Sequence, residues 1–198
     1  MPATPVPTAK LLEEDIAHGE AELRKYQRLV PFWRNRLKQL QGGRPRNYVM
    51  YDSIDLAAIP ETALAVAGYV DGHWPTFGEL VAKFPHAKHL SIAVFARDDA
   101  HALDVETGDA TPDEAPGWLT RQHGRGVARP WIYANASTWA VMGPILKSAT
   151  FRRSQYRVWV ADWTGQPHLP DGADACQYTD RAMGRNLDAS LCLPGTFA

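Results

Sequence analysis

Hydrophobic positions follow two different rhythms along this chain. Between Thr8 and about Gln41, the residues Leu23, Tyr26, Val30, Trp33, Leu37 and Leu40 recur at alternating spacings of three and four, and Leu12, Ile16 and Gly19 extend the series backward. That spacing places them on one stripe of a helix. Thr8 suits the N-cap, where its hydroxyl can accept from an orphan N–H of the first turn. Pro31 supplies no N–H and its ring crowds the preceding turn, so a kink or two separate helices are expected near Val30. Gly42-Gly43, followed by Pro45, ends the element and makes a linker. The Pro-rich residues 1–7 are expected to be loose. The stripe fits a helix packed on its own domain, and it also fits a self-associating or partner-binding coil.

From residue 46 onward, short apolar runs alternate with helical stretches. Strands are expected at 48–54, 64–70, 89–95, 101–106, 130–134, 156–161 and 174–178, with a weaker eighth near 186–191. Helices are expected at 76–84, 112–123 and 137–149. Pro112 suits the first position of the second of these, and Asp113 and Glu114 would sit in its first turn, where the helix dipole favours acids. Strand–helix alternation argues for a parallel sheet. Nearly continuous apolar strands argue for a sheet covered on both faces or closed on itself. About 150 residues is short for an eight-stranded β/α barrel, and the last strands leave no room for full helices between them. The expected fold class is therefore α/β: a trimmed, irregular TIM-type β/α barrel over 46–198, preceded by an N-terminal helical segment and linker over 1–45.

Composition narrows the function classes. Apolar residues make up 45% of the chain and charged residues 22%, with a net charge of −1. That is ordinary for a globular protein and supplies no global field toward nucleic acid or membrane. Arg34, Arg36, Lys38, Arg44 and Arg46 form a local basic end, read as a solvated face or a contact for anionic wall polymer, with no nucleic acid expected. No apolar run reaches membrane-spanning length. The start, MPATPVPTAK, lacks the apolar core of a secretory signal. A chain made in a cytoplasm is expected, meeting any cell wall after release or as part of a virion. Cys176 and Cys192 fall in no CxxC or Cys/His pattern and read as idle thiols rather than a disulfide. Most of Trp74, Trp118, Trp131, Trp139, Trp159 and Trp163 are expected in the core. Aromatic faces outside it can stack on sugars.

The acids carry the candidate chemistry. Asp52 ends the first strand, Asp71 the second, Asp104 and Glu106 the fourth and Asp162 the sixth, while Asp188 lies in the last. Asp and Glu are poor strand residues, and in a parallel barrel all strand C-termini open on the face that holds the active site. Asp104 and Glu106 are two apart, so on a strand both point the same way, with Cα atoms roughly 6.5–7 Å apart. Repulsion raises the proton affinity of one member of such a pair, and the other can stay ionised. Glycoside hydrolysis uses two carboxyls in this way. Alone, the D-V-E tripeptide fits an acidic strand end or a divalent-cation site as well.

Taken together, YDSI, a strand ending in LDVE, then WIYANASTW, VWVADW, and CQYTD with NLDAS after it resemble the glycoside hydrolase family 25 (Chalaropsis-type) lysozymes. The likeness is closest to the short versions found in actinobacteria and their phages, and it spans about residues 47–192. It implies a peptidoglycan-cleaving muramidase acting on β-1,4 bonds of the glycan strand without a cofactor. Position by position, it implies that Glu106 is the general acid and Asp104 its partner carboxylate, orienting the substrate's N-acetyl group or activating water. Asp52 and Asp188 match further site acids. Tyr133 matches a pocket tyrosine, and Asp162, Trp163 and Gln177 fall on the sugar-contacting rim; Asp71, from its place at the end of the second strand and not from the resemblance, is a further substrate-binding candidate. The chain departs from the family in two ways. Its start is MYDSI where GID[VI]S is usual, and the stretch between the first acid and the DxE strand is short.

Other chemistries find little support. There is no GxSxG elbow, no Walker loop and no HExxH, and no metal site is expected. Two readings stay beside the muramidase. One is a weak or inactive barrel used for binding or virion assembly and oligomerised through the N-terminal helix. The other is a hydrolase for a different glycan.

Overall fold

The computed structural model describes residues 9–42 and 46–197, leaving aside the side chains of Leu11 and residues 35–42. The chain divides into two compact units, Met1–Pro45 and Arg46–Ala198.

In the first unit, α1 spans Ala9–Gly42 and runs through Pro31 as one element, not as two helices. Proline forfeits one hydrogen bond and strains one turn, but good helix formers, Ala, Glu, Leu, Arg and Lys before it and Arg, Leu, Lys and Gln after it, outweigh that local loss. Thr8, Gly43 and Pro45 lie outside the described residues, as do residues 1–7 and the side chains of Arg36, Leu37, Lys38 and Leu40.

The second unit is a closed barrel of eight strands in chain order. They are β1 (Tyr48–Asp52), β2 (Ala65–Tyr69), β3 (Lys88–Ala93), β4 (Ala102–Asp104), β5 (Trp131–Asn135), β6 (Arg157–Ala161), β7 (Ala175–Thr179) and β8 (Asp188–Cys192). The strands from β1 to β7 pair in parallel, whereas β8 is antiparallel to both β7 and β1. Three helices lie in the crossovers: α2 (Phe77–Lys83), α3 (Ala115–Gly124) and α4 (Ala136–Ser148). The trimmed α/β barrel expected from the sequence is thus observed. Six of its strands are one to three residues shorter than their apolar runs, most severely β4, while β5 and β7 keep the expected length shifted by one residue.

One helix start is corrected. α3 begins at Ala115, not at Pro112, and Asp113 and Glu114 precede it. Pro116 is the cause, because a residue without an N–H is tolerated only in a first turn. Glu114 instead accepts from the Thr111 N–H and hydroxyl, both at 2.8 Å. α4 is set by Asn135, whose side chain accepts from the Thr138 N–H at 2.9 Å.

Strand alternation divides the core in two. Met50, Ala65, Ala67, Leu90, Ile92, Ala102, Trp131, Tyr133, Trp159 and Ala175 fill the barrel interior, large side chains facing alanines. Leu103, Val105, Trp118, Leu119, Ile132, Met142 and Leu146 pack the outer layer against α3 and α4. Trp118, Trp131 and Trp159 are buried, whereas Trp74 and Trp163 stand in solvent. Cys176 and Cys192 are buried and free, and burial pushes the Cys176 thiol up to about 11.

Candidate active site

At the rim where the parallel strands end, the barrel interior opens into a cavity of about 120 Å3. Asp52, Tyr69, Asp104, Glu106, Tyr133, Trp163, Gln177 and Asp188 are among its lining residues, and no Lys or Arg lines it. Apart from Trp163, which follows β6, these residues reach the cavity through strand geometry. Asp104 is the last residue of β4, and Val105 continues the pairing by donating to the Tyr133 carbonyl at 2.9 Å. Val105 therefore turns outward into the helix-covered layer, and Asp104 and Glu106 on either side of it turn inward. Asp52 ends β1 and Asp188 begins β8, and the two are directly paired across the antiparallel ladder. A strand running the opposite way delivers its first residue, not its last, to this rim.

Four carboxyls in a cavity without a lining cation cannot all ionise cheaply. Burial, reinforced by Asp188 and Asp104, pushes Asp52 well above the usual carboxylate range. Asp52 and Asp188 are hydrogen-bonded and would repel each other if both were charged, so the pair favours holding one proton between them. Asp188 is also raised by burial. Asp104 is only 4% exposed, and burial together with Glu106, Asp109 and Asp71 pushes it well up. Glu106 is half-buried and is raised by burial, Asp109 and Asp188. One oxygen each of Asp52 and Asp104 is buried without a hydrogen-bond partner. Such groups are costly to a fold and stand ready to bond whatever enters the cavity.

A polar network holds the floor. The Tyr133 hydroxyl donates to Gln177 Oε1, and Gln177 bonds the Asp188 carboxyl. Trp159 Nε1 donates to Ser190 Oγ at 2.9 Å. Burial, with Glu106 next, keeps Tyr133 protonated far beyond neutral pH.

The remaining rim residues divide. Trp163 lines the cavity and is 60% exposed. Asp162 is not among the lining residues and pairs instead with His168 Nε2 at 2.8 Å. Asp71 also lies outside this cavity. It accepts the Val94 and Phe95 N–H groups at 2.8 and 3.1 Å, fixing the chain after β3, and lines an adjoining groove with Tyr69, Trp74, Phe95 and Asp109. Sequence reasoning missed Tyr69 and Asp109. Tyr69 precedes Asp71 by two on an apolar strand, which was a usable signal. Asp109 lies on the turn after Glu106, beside Gly108 at φ 99°, and no periodicity marks it.

No protein-family model matches the chain, and no curated protein matches its sequence. Among solved structures, the chain is similar to the modular Cpl-1 endolysin, crystallised as a Glu-to-Gln mutant with a peptidoglycan analogue, a tetrasaccharide-pentapeptide. The likeness has a TM-score of 0.50 at 16% identity, covering 76% of this chain and 55% of the endolysin, so the chain spans little more than half the length of that protein. At that identity the likeness shows the shared barrel fold alone.

Proposed function

We propose that the barrel hydrolyses the glycan strand of peptidoglycan, with Glu106 as general acid and Asp104 as its partner. The observation that carries this reading is the convergence of Asp52, Asp104, Glu106 and Asp188 in one cavity that no Lys or Arg lines and that favours retained protons. The fold shared with an endolysin that binds a peptidoglycan analogue supports it.

The cavity is too small for a chain of sugars, so the glycan would lie across the rim, stacked on the exposed face of Trp163, with one substituent reaching down. An N-acetyl group suits that role. Its amide N–H would meet the unpartnered Asp104 oxygen, and a donated hydrogen bond favours the ionised carboxylate. In the free protein Asp104 holds its proton more firmly than Glu106, being more deeply buried. Binding of the amide would therefore lower Asp104 and leave the proton to Glu106, the longer and more exposed carboxyl. Glu106 would then protonate the leaving glycosidic oxygen, while Asp104 stabilises the positive charge developing at the anomeric centre and N-acetyl group. Asp52 and Asp188, sharing one proton, would keep the floor from gaining a second full charge.

Loss of turbidity of a Gram-positive cell-wall suspension tests the reading. The intact chain should clear it, Glu106→Gln should be slower by at least about a hundredfold, the lower scale of general acid catalysis, and reducing ends should appear in step. An inactive parent chain, or a Glu106→Gln variant as active as the parent, refutes it. Reducing ends released from chitin-like polymer but not from wall would move the substrate to another glycan.

A further inference from the structure

We infer that α1 is the interface of an antiparallel homodimer. The inference concerns the first unit alone and stands or falls independently of the catalytic reading. α1 is the sole described element of its unit, and Leu12, Ile16, Leu23, Tyr26 and Val30 are exposed along it, from 41% to 61%. A stripe of this size on one helix calls for a partner.

The spacing identifies the kind of partner. With Ile16, Leu23 and Val30 at position a of a heptad, Leu12, Gly19, Tyr26 and Trp33 fall at position d, and the sequence continues the ladder to Leu40. A strict a/d repeat is the narrow seam of a coiled coil rather than the wider face of a helix lying on a globular core. Pro31 falls at b, away from the seam.

Charge chooses the direction. The flanking e and g positions of the N-terminal half are Glu13, Asp15, Glu20 and Glu22, all acidic. In the C-terminal half the described flanking positions are Gln27, Leu29 and Arg34, without an acid. A parallel pair sets each g against the e five residues on in its partner, which brings Asp15 against Glu20 on both sides. Glu20 has only an exposed 3.4 Å contact with Arg24 of its own helix to offset this. An antiparallel pair sets e against e and g against g. It lays the acidic half over the basic half and matches Glu13 with Arg34 twice.

The same direction fixes a register. Each a residue must meet a d residue, and the alignment that also matches Glu13 with Arg34 sets Leu23 against Tyr26, Gly19 against Val30, and Ile16 against Trp33. Gly19, the small position of the seam, then faces the branched Val30, where a larger side chain has room. In this register the two Gly42 residues lie roughly 50 Å apart along the rod, from the 1.5 Å rise per residue. On the proposed catalytic reading, the dimer would offer a polymeric wall two barrels at once, raising its residence there.

Sedimentation equilibrium of the full chain at tens of micromolar should give twice the 22.0 kDa of one chain. Leu23→Asp should weaken association by at least about a hundredfold, since it places a charge in the seam. The near-UV circular dichroism of the buried barrel tryptophans should not change. Direction is read by disulfide trapping, with the native cysteines buried. A Glu13→Cys chain mixed with an Arg34→Cys chain should form the mixed dimer, and an Asp15→Cys chain mixed with a Glu20→Cys chain should not. A monomer, a dimer indifferent to Leu23→Asp, trapping only through positions 15 and 20, or a mass explained only by an added second protein would each overturn the inference.

Discussion

Asp104→Asn isolates the energetic consequence of crowding acids into the barrel mouth. Asp104 is 4% exposed, one of its oxygens has no partner, and burial holds its proton affinity well above that of a free aspartate. In the unfolded chain the same carboxyl titrates near the ordinary value of about 3.9. Between that value and its raised folded value, the native state binds one proton more than the unfolded state. The sign follows: this carboxyl costs the fold nothing while it is protonated in both states. The cost begins as pH rises through the unfolded value and grows until the folded value is passed. Within that window one retained proton costs about 1.4 kcal/mol per pH unit. Asparagine keeps the shape and cannot ionise, so the variant should match the parent near pH 4 and outlast it increasingly above. Between pH 5 and 7 the gap should widen by up to about 2.7 kcal/mol if the proton is held throughout. Urea unfolding at pH 4, 5, 6 and 7, followed by near-UV circular dichroism, measures it. Parallel stability-versus-pH curves for the two proteins, with no widening gap, would falsify the argument that Asp104 retains its proton in the fold. The variant should also lose wall-clearing activity, the usual exchange between stability and an active site.

Two further perturbations test the barrel's own supports. Asp174 is buried and meets Arg153 at 2.5 Å, Arg129 and Arg157 at 3.4 Å, and the Val158 N–H at 2.8 Å. Asp174→Asn should cost about 3–5 kcal/mol in urea unfolding, because it strands the largely buried Arg157 beside two more guanidinium groups; a loss below about 1 kcal/mol, the scale of an exposed pair, would show the cluster to be solvent-screened. Ser190 is fully buried and its hydroxyl receives Trp159 Nε1. Ser190→Ala should cost about 1–3 kcal/mol, the penalty of a buried donor left without an acceptor, and an unchanged midpoint of thermal unfolding would mean that the indole has found another one.

The barrel was legible because its evidence is local: the continuous apolar run from Trp131 to Ala134 reports a strand buried on both faces, and burial on both faces implies a covered or closed sheet. The convergence of Asp52, Asp104 and Glu106 was legible for the same reason, since parallel strands end on one rim. What stayed hidden depended on partners distant in sequence or on turn geometry. The shift of α3 to Ala115 turned on which of two prolines, Pro112 or Pro116, would govern the start. The fates of Asp71 and Asp162 were hidden because a rim acid can be consumed by backbone N–H groups or by a histidine as readily as by a ligand. Asp188 is the instructive residue. Its place was expected from strand C-termini meeting at one mouth, yet β8 runs the other way. The antiparallel turn after β7 is what brings the first residue of β8, rather than its last, against Asp52. Had β8 run parallel, position 188 would have opened at the opposite end of the barrel, and Asp52 would face the cavity without the neighbour that shares its proton. The acid dyad on the floor is therefore a product of topology, and the short connection between β7 and β8, which leaves no room for a crossover helix, is the sequence feature that makes it.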